Sequence, residues 1–472
     1  MSKVLMIASE AAPFAKTGGL ADVLGSLPRA LVERGEEVAV VMPRYRSVSL
    51  EGAWRAYSDL TVWLGATPWE VNIFRIDYKG TPYYFVDCPS LYDRDGIYGD
   101  EDGDYRDNHI RFAVLSHAAL ALIRHVWRPE IVHGHDWQAA FAPIYMRHFF
   151  AMDPTFLGLR VLFTVHNLGY QGKFPPSILP EVGLDETAFR SGALEFFGEV
   201  NLLKGALVYA DAISTVSQGY AREIQSEEFG FGLQDILRAR ANALHGILNG
   251  VDYTVWSPDV DSFIACRYSS ADLSGKAVCK RDLLAEVGLP EDNMDRPLIG
   301  MISRFVNQKG FDLIAAAAED LAALDIAMVV LGAGDARYEE LIRGMAAAHP
   351  ERIACWIGYN DPLAHKIEAG ADMFLMPSWY EPCGMNQLYS LRYGTVPIVR
   401  ATGGLDDSVD ETTGFKFREY SAPAMMGAVR AAVGAWKNRD LWRSLMLRGM
   451  EKDFSWAASA AKYSDLYRSL LS

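Results

Sequence analysis

The chain has little cysteine. Its five residues, Cys88, Cys266, Cys279, Cys355 and Cys383, are odd in number and scattered, with no CxxC pair. That pattern argues against a disulfide framework or a zinc site, and no metal-ligating set is expected. Long apolar runs are missing too: none reaches the length of a membrane span. Met1 to Ala8 turns at once into strand-like sequence, so neither membrane segment nor signal peptide is expected, and the cytoplasm is the expected compartment. Positive charge is not in excess, since the formal net charge is -15. A nucleic-acid partner is therefore not expected, and an anionic ligand would need locally concentrated cations. No internal repeat or low-complexity linker interrupts the sequence. What is present is a chain of 472 residues, 50% hydrophobic and 22% charged, which is folded and too long for one ordinary core.

Two stretches alternate buried strands with helices. In the first, "VLMIAS", "EVAVVMP", "IVHGHD", "VLFTVHN" and "AISTVS" read as strands, with helices over Leu20–Arg34 and Arg111–Val126. "WEVNIFRIDYKGTPYYFVDCP" alternates around "KGTP" and reads as an inserted β-hairpin. In the second, "LIGMIS", "AMVVLGAG", "ACWIGY", "DMFLMPS" and "VPIVRA" are strands, with helices over Phe311–Leu324 and Arg337–His349. Continuous apolar strands between helices predict parallel sheets covered on both faces, hence two doubly wound α/β domains joined near residues 245–260. The last helix carries Trp456, Tyr463, Leu466, Tyr467 and Leu470 at helical spacing and needs a packing partner.

Ligands in doubly wound folds gather at the carboxyl ends of strands. "FAKTGGLADV" lies there, where Lys16, Gly18 and Gly19 open a helix. It reads either as an anion site, with glycines allowing close approach, or as a turn with a solvated lysine. His166 and Asn167 end one strand, and Asp136 and Trp137 follow another. Each set alone is compatible with a structural role, and together they suggest a shared opening. Arg304 and Lys309 in "ISRFVNQKG" suggest a diphosphate. In "PSWYEPCGMNQLYSLRYG", Glu381 precedes a turn through Cys383 and Gly384 and a helix starting near Asn386, whose N–H groups suit an anion. Cys383 has no base beside it in sequence and reads as a packed small residue. Two motifs fail: "GDEDGDYRDN" has Tyr105 at the calcium-loop glycine and Arg111 at its closing acid, and "LGAGDAR" lacks the third glycine of a dinucleotide fingerprint.

"KTGGLADV", "HGHDW", "TVHNLGYQG", "LNGVD", "SRFVNQKG", "LGAGD", "EPCGMNQLYSLRYGT", "TGGLDDSV" and "DFSW" occur in an order similar to that of bacterial glycogen synthases and plant starch synthases, from Val4 to the last helix. The resemblance implies a GT-B glycosyltransferase, two Rossmann-like domains facing a deep interdomain cleft. It implies an N-terminal domain of residues 1–248, joined by helix 456–472 packing back on it, and a C-terminal domain of residues 249–455. The implied reaction moves glucose from ADP-glucose to the nonreducing end of an α-1,4-glucan with retention and needs neither metal nor cofactor. Lys16, His166, Arg304, Lys309 and Glu381 match the family's catalytic set. Gly18, Gly19, Asp136, Trp137, Asn167, Asn249, Tyr359, Cys383, Gly384 and Asn386 match substrate positions, Tyr359 being the aromatic expected to stack on the base. Trp379 stands where the family often has Arg, and Asn386 where it often has Thr. The alternatives are a transferase preferring UDP-glucose, another GT-B glucosyltransferase such as one making sucrose or trehalose, and a silent glucan-binding protein.

Overall fold

The computed structural model describes residues 1–472 and divides into two compact units. The N-terminal unit comprises Met1–Val216, Ala221–Gly250 and Trp456–Ser472. The C-terminal unit comprises Ser217–Tyr220 and Val251–Ser455.

The N-terminal unit is built on a nine-stranded sheet: β1 (Lys3–Ile7), β2 (Glu37–Pro43), β3 (Trp54–Leu64), β4 (Thr67–Tyr78), β5 (Thr81–Asp87), β6 (Ile131–His135), β7 (Arg160–Val165), β8 (Ala212–Thr215) and β9 (Leu244–Gly246), in the order β9-β8-β7-β6-β1-β2-β5-β4-β3. Pairing is parallel from β9 through β5 and antiparallel between β5, β4 and β3. The parallel strands are buried almost throughout because helices cover both faces. The expected hairpin is β4–β5. Its two-residue turn, Lys79 and Gly80, has φ of +48° and +81°, the left-handed pair whose twist matches its strands. Sequence reading missed β3, which adds a third antiparallel strand. Its mixed exposure, with Trp54 and Trp63 facing solvent, lacks the clean alternation that signals a strand.

Helix α1 (Gly19–Glu33) follows β1 and buries Leu20, Val23, Leu24, Leu27 and Leu31. Helix α2 (Asn108–His125) starts three residues earlier than expected. The closing helix, Trp456–Leu471, packs against α1 and buries Trp456, Tyr463, Leu466 and Tyr467. Ser459 Oγ donates to the Leu248 carbonyl at 2.6 Å. Gly250 is required there, since a Cβ would sit 2.5 Å from the Trp456 Cα.

The C-terminal unit holds a six-stranded, wholly parallel sheet of β10 (Leu298–Ile302), β11 (Ala327–Gly332), β12 (Ile353–Ile357), β13 (Met373–Met376), β14 (Val396–Arg400) and β15 (Phe415–Phe417), in the order β12-β11-β10-β13-β14-β15. The single helix expected over Phe311–Leu324 is two, Phe311–Ala316 and Ala318–Ala323. The ladder shifts at Ala317, whose N–H is shared between the carbonyls of Leu313 and Ile314. An alanine-rich run gives no local sign of such a break. No helix is long and apolar enough to cross a membrane.

Candidate functional site

In the N-terminal unit the loop between β1 and α1 is organised by Glu10, a residue the sequence reading passed over. Its buried carboxylate accepts the N–H of Thr17 at 2.6 Å and that of Gly18 at 3.3 Å, and both Thr17 Oγ1 and the Tyr98 hydroxyl donate to it. Burial, with Glu10 alongside, pushes the Tyr98 hydroxyl well above its ordinary range. Lys16 reaches Asp22 at 2.7 Å on a solvent-facing edge. A Cβ at Gly18 or Gly19 would meet nothing within 4 Å. Neither glycine has positive φ, so the protein's own packing does not require them. They leave open space in front of a helix whose first turn has no side-chain cap. Glu10 lies just beyond the carboxyl end of β1, and the rule that ligand groups sit at strand ends was the available signal.

The ends of β6 and β7 bring Asp136 and His166 together. Asp136 holds φ +55° and ψ 176°, a region nearly reserved for glycine. There its carboxylate accepts the N–H of His166 at 2.8 Å and that of Asn167. Burial pushes the Asp136 carboxyl up to about 7, against those donated hydrogen bonds. Burial likewise pushes the His166 imidazole down to about 3, so it is neutral near pH 7. Asn167 Oδ1 accepts from Gly169 N at 2.9 Å, shaping the following turn. Trp137 is packed rather than displayed: its ring lies 5.1 Å from Phe112 and 5.7 Å from Phe174, centroid to centroid, and a Cβ on Gly172 would come within 2.4 Å of it. Asn249 is buried, with its Oδ1 lacking a hydrogen-bond partner.

In the C-terminal unit the loop after β10 carries Arg304 and Lys309. Lys309 Nζ meets Glu381 Oε2 at 2.6 Å, and Ser378 Oγ donates to the same oxygen at 3.0 Å. Lys309 was expected to face a diphosphate, and here it pairs with Glu381. Arg304 is exposed and makes no ion pair or side-chain hydrogen bond. This loop is braced by the one after β11: Phe305 N donates to Ala333 O, Asp335 N to Phe305 O, and a Cβ on Gly334 would be 2.4 Å from Phe305 O. The glycines of "LGAGD" thus allow two loops to touch, rather than forming a dinucleotide fingerprint.

Glu381 leads into the turn before helix α3 (Asn386–Tyr393). Gly384 has φ +70°, and a Cβ there would lie 2.4 Å from Gln387 Oε1. Gln387 Nε2 donates to the carbonyls of Cys383 and Gly384, and the Cys383 side chain is buried. Asn386 Nδ2 donates to Ile302 O at 2.7 Å, tying the start of α3 to the end of β10. Tyr359, 83% exposed, presents its ring to solvent, with its hydroxyl donating to Asp361.

Residues 3–239 match the family model described as the starch synthase catalytic domain, and residues 290–443 match that of glycosyl transferases group 1. A glycogen synthase of Koribacter versatilis is 49% identical, covering 98% of this chain and 97% of that protein. One from Anaeromyxobacter dehalogenans strain 2CP-C is 48% identical over 99% of each. The solved catalytic domain of starch synthase IV from Arabidopsis thaliana, bound to ADP and acarbose, is 32% identical, with a TM-score of 0.90 over 100% of this chain and 99% of that one. The sucrose-phosphate synthase of Thermosynechococcus elongatus, 18% identical with a TM-score of 0.63, shares the fold alone. Two Rossmann-like units with parallel sheets make this an α/β protein of GT-B type. From full-length identity and both domain matches together, the chain belongs to the glycogen synthase and starch synthase family of glycosyltransferases.

Proposed function

We propose that the enzyme transfers glucose from ADP-glucose to the nonreducing end of an α-1,4-glucan, with retention of configuration, in the cytoplasm. The observation that carries this reading is the C-terminal cluster, where Arg304 is unpaired on the loop whose Lys309 grips Glu381. An unpaired guanidinium and a lysine at one strand end suit a diphosphate leaving group. The reading assigns Lys16, and the N–H groups at the start of α3, to the same task of stabilising charge as the sugar–phosphate bond breaks. Because cations of the chain carry that task, no metal is assigned. Glu381, held by Lys309 and Ser378, accepts hydrogen bonds from sugar hydroxyls, and neutral His166 flanks the sugar. The acceptor hydroxyl attacks from the leaving-group face, and the departing phosphate takes its proton. A starch synthase that binds ADP and acarbose supports an adenine nucleotide donor.

Release of ADP or UDP, measured with glycogen and each nucleotide sugar in turn, tests this. Faster turnover of ADP-glucose is expected. Preference for UDP-glucose would replace the donor assignment, and turnover of neither would remove it.

A further inference from the structure

His135, which the proposed reaction leaves without a role, lies fully buried at the end of β6. Its Nδ1 is 3.0 Å from His166 Nε2. Its Nε2 is buried and has no hydrogen-bond partner. One turn of the pleat earlier, His133 packs beside it at 4.1 Å between ring centroids, with both nitrogens engaged, Nδ1 with the Tyr467 hydroxyl and Nε2 with Thr164 Oγ1. Burial depresses the basicity of all three imidazoles, so each is neutral near pH 7 and carries one proton.

That proton count decides a direction. A neutral imidazole has one donor and one acceptor nitrogen. A buried orphan N–H is rarer than an orphan acceptor. The partnerless Nε2 of His135 is therefore the bare nitrogen, and its proton sits on Nδ1, where it donates to His166 Nε2. His166, accepting there, must keep its own proton on Nδ1. That atom makes no hydrogen bond in the protein and is not among its enclosed unpartnered atoms. We infer that His135 is a positioning residue that fixes the proton of His166 on Nδ1, so that His166 offers an N–H donor, not a lone pair, to its ligand. The ligand group it suits is an oxygen acceptor, such as a sugar hydroxyl. Asp136, whose carboxylate accepts the His166 backbone N–H, anchors the backbone that carries the ring. The inference rests on the proposed placement of His166 beside the sugar, but the tautomer does not.

Nitrogen NMR of protein labelled with 15N-histidine, using His166→Asn to assign the resonance, reads the tautomer. A protonated Nδ1 and a bare Nε2 are expected on His166, and the reverse overturns the inference. Kinetics give a second readout. In His135→Asn the side-chain amide lies where Nδ1 was; in His135→Gln it lies nearer Nε2. The Asn variant is expected to keep kcat within about threefold of wild type. The Gln variant is expected to lose roughly tenfold or more, the scale of one misplaced hydrogen bond. The KM for glycogen should not change in either. Equal activities, or Gln above Asn, overturn the inference. If both variants lose native thermal stability, the spectra of the wild type decide alone. A wild type that turns over no ADP-glucose would remove the proposed function and leave the spectra to decide the tautomer.

Discussion

The loop after β1 and the loop after β10 use the same device, a lysine and glycine between a strand end and a helix, and solve it in opposite ways. In the N-terminal unit a buried carboxylate, Glu10, holds the loop by its backbone N–H groups, while Lys16 stays on an exposed pair with Asp22 and the glycines face open space. In the C-terminal unit the carboxylate holds the lysine itself, and glycine is needed for packing. Gly310 has φ +79°, and a Cβ there would lie 2.2 Å from Pro377 O. Glycine near a candidate anion site therefore carries two meanings, room for a ligand or room for the protein, and only the surrounding atoms distinguish them.

The strongest way to break this contrast is to remove each lysine. Lys16→Ala and Lys309→Ala are each expected to lower kcat/KM for the donor by roughly 10²-fold, the scale of one preorganised electrostatic contact. Their stabilities should part. Lys309→Ala leaves Glu381, 7% exposed at its side chain, without its cation, a loss of about 3 kcal/mol in urea unfolding. Lys16→Ala breaks a solvent-facing pair worth less than about 1 kcal/mol. Equal stability losses would end the distinction.

The glycines sharpen it further. Gly310→Ala forces a side chain into left-handed backbone against a carbonyl, and unfolding should show a loss above about 2 kcal/mol. Gly18→Ala should leave stability within about 0.5 kcal/mol, the usual range for an open surface site, while raising the donor KM. A Gly18 variant with unchanged KM would mean that the open space is not used.

Another effect concerns pH. The folded-state pKa of Asp136 is raised by burial from 3.8 to about 7. Its protonated form is favoured by folding, so that stabilisation is complete below about pH 4 and is lost as pH rises through about 7. Asp136→Asn, which cannot ionise, should show less loss of thermal stability between pH 5 and pH 8 than wild type. Identical slopes would contradict the assignment. The smallest effect expected is none: a chelator should leave the initial rate of ADP release unchanged, and a loss restored by a divalent cation would overturn the metal-free proposal.

The order of strands and helices was legible because burial on two faces writes continuous apolar runs into a parallel strand, and the hairpin because its residues alternate on either side of "KGTP". Where the candidate residues lie, at strand ends, was legible for the same local reason. β3 was not, because an edge strand half in solvent has no strict period. Nor was the break at Ala317, where hydrogen bonding shifts inside a uniform helix-forming run.

By itself, the sequence determined the alternation of strand and helix, the cationic and glycine-bearing loops between them and, through motif order, the family. Those are properties of neighbouring residues, recorded in spacing. Tertiary structure alone decided that Glu10 clasps the Lys16 loop, that Lys309 pairs with Glu381 across 72 positions of chain, that His135 meets His166, and that the last helix lies on α1. Each of these joins groups far apart in sequence. Whether a lysine is free or paired, or a histidine neutral or charged, depends on atoms that only folding brings within hydrogen-bond reach and removes from water.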